Sequence, residues 1–202
     1  MVRKKLPAED QNLTELGTQE QNHALSQKRH ALVVGEGNPH AELVFIGESP
    51  GEEENLLCQP FFGEAGQLLT RMIEAMGLKR EHVYISNLVQ CPPPDHGEPE
   101  SDEIPECSPF LAEKLAQIQP KVVVALGKYA AQSLLQSKEQ ISDLRGKFYT
   151  YTHIHAHAGP NSLQIMPTFH PSDLLKNPAS KRAAWSDLQQ VAQALGIQLP
   201  KR

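Results

Sequence analysis

Apolar residues along this chain switch repeatedly between short continuous runs and runs of helical period. Leu43 to Ile46, closed by Gly47, is a compact apolar stretch that reads as the end of a buried strand. In "AGQLLTRMIEAMG", Leu68, Leu69, Met72, Ile73 and Met76 recur at helical spacing, and Gly77 is a natural stop. "VYISNLVQC" is the next strand and runs into the proline-rich loop "CPPPDHGEPESDEIPEC". A helix over 110–118 sets Leu111, Leu115 and Ile118 on one side, and the β-branched run "PKVVVALG" then marks a strand covered on both faces. "KYAAQSLL" is a short helix, and "LRGKFYTYTHIHAHAG" alternates in part, as a hairpin arm or a further strand would. "LQIMPTFHPSDLL" holds a last strand that breaks into a loop, and "SKRAAWSDLQQVAQALG" closes the chain as an amphipathic helix.

This alternation predicts a layered α/β domain around a mostly parallel four-stranded sheet, with functional groups gathered at the carboxyl ends of the strands. Upstream, two short apolar runs flank a turn at "GEGNPHAE". Residues 1–30 are polar, with one weak helix in "TQEQNHALSQKRH", and are expected as an extension packed on a single domain spanning 31–202.

A chain of 202 residues with a 39% hydrophobic share suits one domain with a full core. Its three cysteines do not make a secreted disulfide framework. No apolar run approaches the roughly 20 residues of a membrane helix, and none follows the basic start, so a cytoplasmic monomer without membrane contact is expected. A net charge of −5 argues against non-specific wrapping of nucleic acid. The acids concentrate in "GEEEN" and "DHGEPESDE", whereas Lys176, Lys181 and Arg182 cluster late in the chain, as a solvated helix face or a phosphate contact.

Three strand ends carry polar groups: Glu48 in "GESPG", Asn87 in "SNLVQCPPP" and His170 in "TFHPSDLL". Each alone has an ordinary reading, as a turn acid, a turn former and a surface imidazole. "PFFG" by itself is also what a packed turn looks like. Together they make a candidate pocket.

In that order and spacing, "VVGEGNPHAELVFIGESPG", "PFFGEAGQLL", "VYISNLVQCPPP", "KVVVALGKYAAQSLL" and "PTFHPSDLLKNPASKRAAWSDL" resemble the uracil-DNA glycosylase superfamily, most closely its family 4. The resemblance covers nearly all of the chain. It implies a three-layer α/β/α sandwich that flips a deoxyuridine out of DNA and hydrolyses the bond between base and sugar. It also implies roles by position. Glu48 would orient the attacking water, Pro50 and Gly51 would line the uracil pocket, and Phe61 would stack on the base. Asn87 would read the uracil edge, and His170 would face uracil O2 as a donor to developing negative charge. Ser172 would meet a DNA phosphate, Leu174 or Leu175 would wedge into the gap left by the flipped base, and Lys176, Lys181 and Arg182 would hold the backbone.

The chain departs from the family pattern in its cysteines. Family 4 carries four for a [4Fe-4S] cluster; here Cys91 and Cys107 match two, and Glu20 and His23 stand at the other two positions. Carboxylate is a poor ligand for so soft a site, so no cofactor is expected. Cys58 belongs to the active-site side, and Gln90 and Pro92 replace a lysine and an arginine common in relatives. The expected activity is monofunctional glycosylase action on uracil, or another deaminated base, in DNA. The alternative is a catalytically weak DNA-binding or interaction protein that keeps the fold. A nucleotide-binding enzyme fits poorly, because "GESPGEEEN" lacks the lysine and hydroxyl of a phosphate loop.

Overall fold

The computed structural model describes residues 33–90, 103–151 and 162–200, the side chains of 103–110 excepted. In chain order the strands are β1 (Glu36–Gly37), β2 (Leu43–Gly47), β3 (Tyr84–Asn87), β4 (Val122–Leu126), β5 (Tyr149–Thr150) and β6 (Gln164–Thr168). The helices are α1 (Glu52–Leu57), α2 (Gly63–Ala75), α3 (Glu103–Ile118), α4 (Lys128–Leu135), α5 (Ile141–Leu144), α6 (Pro171–Lys176) and α7 (Lys181–Ala194), with single 3-10 turns at Arg80–His82 and Pro178–Ser180.

The sheet order is β1-β3-β2-β4-β6-β5. β3, β2, β4 and β6 are parallel, as the sequence predicts, and the short β1 and β5 add an antiparallel pair at each edge. The expected four-stranded sheet is therefore the centre of a six-stranded one. β1 lies inside the stretch expected as a turn, and two-residue strands carry too little pattern to be read from sequence.

Strand pleating explains the layers. In β4, Val123 and Ala125 face one cluster with Leu111, Leu115, Ile118, Ala130 and Leu134 of α3 and α4. Val122, Val124 and Leu126 face the other, with Leu69 and Ile73 of α2 and Leu188 and Val191 of α7. Covering both faces is what lets the strand be apolar at every position.

Two segments that the sequence pattern does not mark as helices are helical. The "GEEEN" acids form α1, with Glu52, Glu53 and Glu54 in its first turn, where carboxylates favour the helix dipole, and Cys58 ends it in a left-handed conformation at φ 53°. "HPSDLL" forms α6, with His170 as its N-cap and Pro171 at its first position. α3 begins at Glu103 rather than Phe110. Pro105 and Pro109 stop a sequence-based reading; Pro105 sits in the first turn, where a missing N–H costs nothing, and Pro109 lies inside the helix at the loss of one backbone bond. The expected N-terminal helix, the proline-rich loop over 91–102 and the continuation of the hairpin past Tyr151 lie outside the described residues. Among the described residues, no helix is long and apolar enough to cross a membrane.

Under the sheet's far end, Asp187 of α7 is fully buried and accepts hydrogen bonds from Thr168 Oγ1 at 2.7 Å and Arg145 Nε at 3.0 Å. Arg145 also donates to Ala183 O at 2.7 Å and lies over the Phe169 ring, 5.4 Å from its centre. This network ties the start of α7 to the strand end that carries His170.

α6 changes one assignment. Leu174 is buried in a small cluster with Leu68 and Ala184, and Leu175 packs against the same cluster. Their turn of helix faces α2, so Leu174 cannot project into a groove. Leu174→Ala is expected to destabilise the fold by about 2–5 kcal/mol, the cost of emptying a buried leucine site, with the change read from the urea midpoint.

Candidate active site

The carboxyl ends of β2, β3 and β6 open onto a cavity of about 510 Å³. Glu48, Pro50, Gly51, Phe61, Asn87, His170, Ser172 and Lys176 all line it. Leu175 is not part of that lining, and Lys181 and Arg182 stand exposed at the start of α7.

Register explains the convergence. Gly47 pairs with Asn87, and past the ladder Leu88 N–H donates to Gly47 O at 2.9 Å and Val89 N–H to Glu48 O at 3.0 Å. The backbones bearing the acid and the amide thus stay side by side as they leave the sheet. On the other side, Gly127 N–H donates to Thr168 O at 2.9 Å. Gly127 has φ 93°, and a Cβ there would come within 2.4 Å of Glu48 Oε1 and 3.1 Å of His170 Cβ. Only glycine lets the acid and the imidazole backbone close over this turn. Glu48 Oε1 accepts the Tyr129 N–H at 2.9 Å, which places the carboxylate at the positive N-terminus of α4 and favours its anionic form.

Asn87 is 1% exposed, and its Nδ2 is buried without a hydrogen-bond partner. A buried amide donor left unsatisfied costs about 1–3 kcal/mol, which a bound acceptor would recover. Phe61 is buried, adopts φ 52°, and holds its ring 5.5 Å from the His170 ring at a 35° tilt. A side chain at Gly47 would strike both Asn87 Oδ1 and the Phe61 ring, at 2.4 and 2.5 Å. The strand-end glycine therefore makes the room in which amide and ring meet.

His170 Nδ1 accepts the Ser172 N–H at 3.2 Å and lies 2.7 Å from Ser172 Oγ. A nitrogen that accepts a backbone N–H carries no proton, so the neutral ring holds its proton on Nε2. Burial, aided by the Lys176 charge, pushes the His170 pKa down to about 4. The hydroxyl that the sequence assigns to a DNA phosphate is thus engaged in orienting the imidazole.

Two residues that position the pocket escape a sequence reading. Glu54 Oε2 accepts the Gly51 N–H at 2.9 Å and Oε1 the Phe62 N–H at 3.1 Å, clamping the two loops of the pocket wall together. Burial raises its pKa, opposed by those N–H donors and the Arg80 charge. Arg80 pairs with Glu36 and donates to Pro60 O and Thr70 Oγ1, each at 3.0 Å, so it braces the backbone beside Phe61. Glu54 hides in an acidic run and Arg80 in "GLKREH"; neither stretch has a pattern that marks a buried partner.

The cluster positions fall outside the described side chains. Glu20, His23 and Cys91 lie outside the described residues, and Cys107 falls in α3 where side chains are not described. Cys58 is exposed at the end of α1, its Sγ 3.9 Å from Asn55 O. By sequence, the four cluster positions supply two cysteines, a histidine and a glutamate. Among the described residues, no group of three or more His, Cys, Asp or Glu is arranged to hold a metal ion.

A ring face, an edge-reading amide, a neutral imidazole and a carboxylate around one cavity make a pocket of the class that takes a planar nucleobase. Residues 34–189 match the model of the uracil DNA glycosylase superfamily, and the chain belongs to that superfamily. It is 42% identical over 172 residues to the type-4 uracil-DNA glycosylase of Saccharolobus solfataricus, covering 83% of this chain and 77% of that protein. Against the type-4 enzyme of Sulfurisphaera tokodaii it is 40% identical, covering 88% and 80%, and against that of Archaeoglobus fulgidus 36%, covering 87% and 88%.

The His170 geometry predicts a spectrum. Nitrogen-proton correlation should show the Nε2–H tautomer at pH 6 and a titration near pH 4. Because this pKa lies below the unfolded value, the unfolded chain takes up the proton first. Stability should therefore fall as pH drops from about 6.5 towards 4, and Lys176→Gln should move the titration upward.

Proposed function

We propose that this protein hydrolyses the N-glycosidic bond of uracil in DNA, releasing the free base and leaving an abasic site for base-excision repair. The observation that carries this reading is the unpartnered Asn87 Nδ2 in the pocket wall. Uracil offers an acceptor at O4 beside a donor at N3, a pair that one amide satisfies with its NH₂ and its oxygen. Cytosine presents the reverse pattern and would leave buried groups unpaired.

The flipped base lies on the Phe61 ring with its edge against Asn87. As the bond from C1' to N1 breaks, its electron pair passes to the uracil ring, and negative charge grows on O2. His170 Nε2–H donates to that oxygen, and its low pKa keeps the ring a neutral donor rather than a proton source. Positive charge grows on the sugar, where the Glu48 carboxylate stabilises it and orients the water that adds to C1'. The water's proton leaves through the carboxylate to solvent. So electrophilic a sugar needs little base strength from Glu48.

The protein acts as a cytoplasmic monomer in this reading, with residues 1–30 as an extension of a single domain. Lys176, Lys181 and Arg182 contact the DNA backbone, and their contribution falls with salt. The acids around the pocket, Glu52, Glu53, Glu64 and Asp173, thin the positive charge and favour the weakly catalytic binding protein as the second reading.

His170→Leu should retain the fold and most DNA binding while slowing uracil release by roughly tenfold to a thousandfold, the scale of a lost donor to developing charge. Glu48→Ala should act on the same step. Single-turnover cleavage of uracil-containing oligonucleotides checks both; unchanged rates in both variants would refute the assignments, and a parent protein that releases no deaminated base would leave the binding reading.

This reading includes no [4Fe-4S] cluster, because Glu20 and His23 stand at two of its four ligand positions and carboxylate is a poor ligand for so soft a site. Protein purified without oxygen should be colourless and should stay folded after chelation; iron near four atoms per chain, the content of one [4Fe-4S] cluster, would overturn it.

A further inference from the structure

A duplex that gives up one base is left with a gap in its stack, and glycosylases offset that loss with an apolar side chain. In α6, Leu174 is core and Leu175 is partly buried against the same cluster. The large exposed apolar side chains among the described residues are Leu56 at 77%, Leu57 at 50% and Phe62 at 47% exposure. All three fall within seven residues of one another, and Phe62 lines the base pocket. Single exposed apolar residues are ordinary; an exposed aromatic ring at a pocket mouth stands out more.

Phe61 and Phe62 are neighbours with opposite directions. The left-handed backbone of Phe61 turns its ring inward, whereas Phe62 is extended, at φ −90° and ψ 173°, and its ring stands outward. Phe62 forms the ridge between the base pocket and a second cavity of about 330 Å³ lined by Gln59, Gly63, Gln67 and Arg80. Its backbone is held by the Glu54 carboxylate at 3.1 Å, so the ridge is braced from behind. Lys176 and Asp173 line the pocket on the His170 side, while Glu52, Glu53 and Glu64 line it on the segment that carries Phe62.

Resting on the glycosylase reading, we propose that Phe62 is the wedge that fills the gap left by the flipped nucleotide. The inward ring then stacks on the base that leaves, and the outward ring replaces it in the stack. Consecutive residues do both because the sign of φ reverses between them.

The test compares uracil release from single-stranded and duplex oligonucleotides, since a single strand has no stack to refill. Phe62→Ala should lower the ratio of duplex to single-strand rate roughly five- to a hundredfold, the range measured for loss of one aromatic–base stack, and Phe62→Leu should restore most of it. An unchanged ratio overturns the proposal. A second arm uses a duplex with non-cleavable 2'-fluoro-deoxyuridine and 2-aminopurine beside it. The parent should raise 2-aminopurine fluorescence on binding and Phe62→Ala should not; equal signals overturn the wedge. This arm reads insertion without cleavage, so a parent that releases no uracil refutes the glycosylase reading while the wedge is still decided.

Discussion

Everything at the site hangs on the register of four parallel strands. Gly47 opposite Asn87 and Leu126 opposite Thr168 bring four chain segments to one edge at the same height. A slip of one residue in any ladder would turn that strand's side chains to the other face and carry its functional group out of the cavity. The register is in turn enforced by burial, because both faces of the sheet are covered and each strand has apolar groups for both. Stability and site geometry therefore share a cause.

Glycines complete the closure. Gly47 leaves room for Asn87 and Phe61, and Gly127 for Glu48 and the backbone of His170. Polar groups then set orientation where apolar packing does not discriminate. Ser172 sets the imidazole tautomer, the α4 N-terminus holds the carboxylate, and Glu54 and Arg80 brace the two loops around Phe61. Behind them, Asp187 and Arg145 join the start of α7 to the end of β6. Glu48 and His170 each have a partner that removes one degree of freedom, the kind of preorganisation that lets a pocket be complementary to a transition state.

The chain also shows how a family frame tolerates local change. The glycosylase pocket groups stand at their matched positions, whereas the thiolates of the family's cluster are halved. The pocket is assembled by the sheet, whose four parallel strands carry its polar groups to one edge.

Periodicity was sufficient to read the parallel core, the order of its strands along the chain, and the helices of α2, α4 and α7, because a strand or helix that buries a face must repeat with its own period. Glu48, Asn87 and His170 were legible as strand-end polar residues for the same reason, and the family motif supplied Phe61. What pattern alone left undecided were contacts between distant segments: Leu174 pressed against Leu68, Asp187 buried beneath Thr168, Glu54 bridging Gly51 and Phe62, and Arg80 beneath Pro60. Sequence by itself determines which residues can form each element, since that depends on spacing along the chain. Tertiary structure alone decides which leucine is core and which aromatic is rim, because burial depends on what the fold places opposite each side chain.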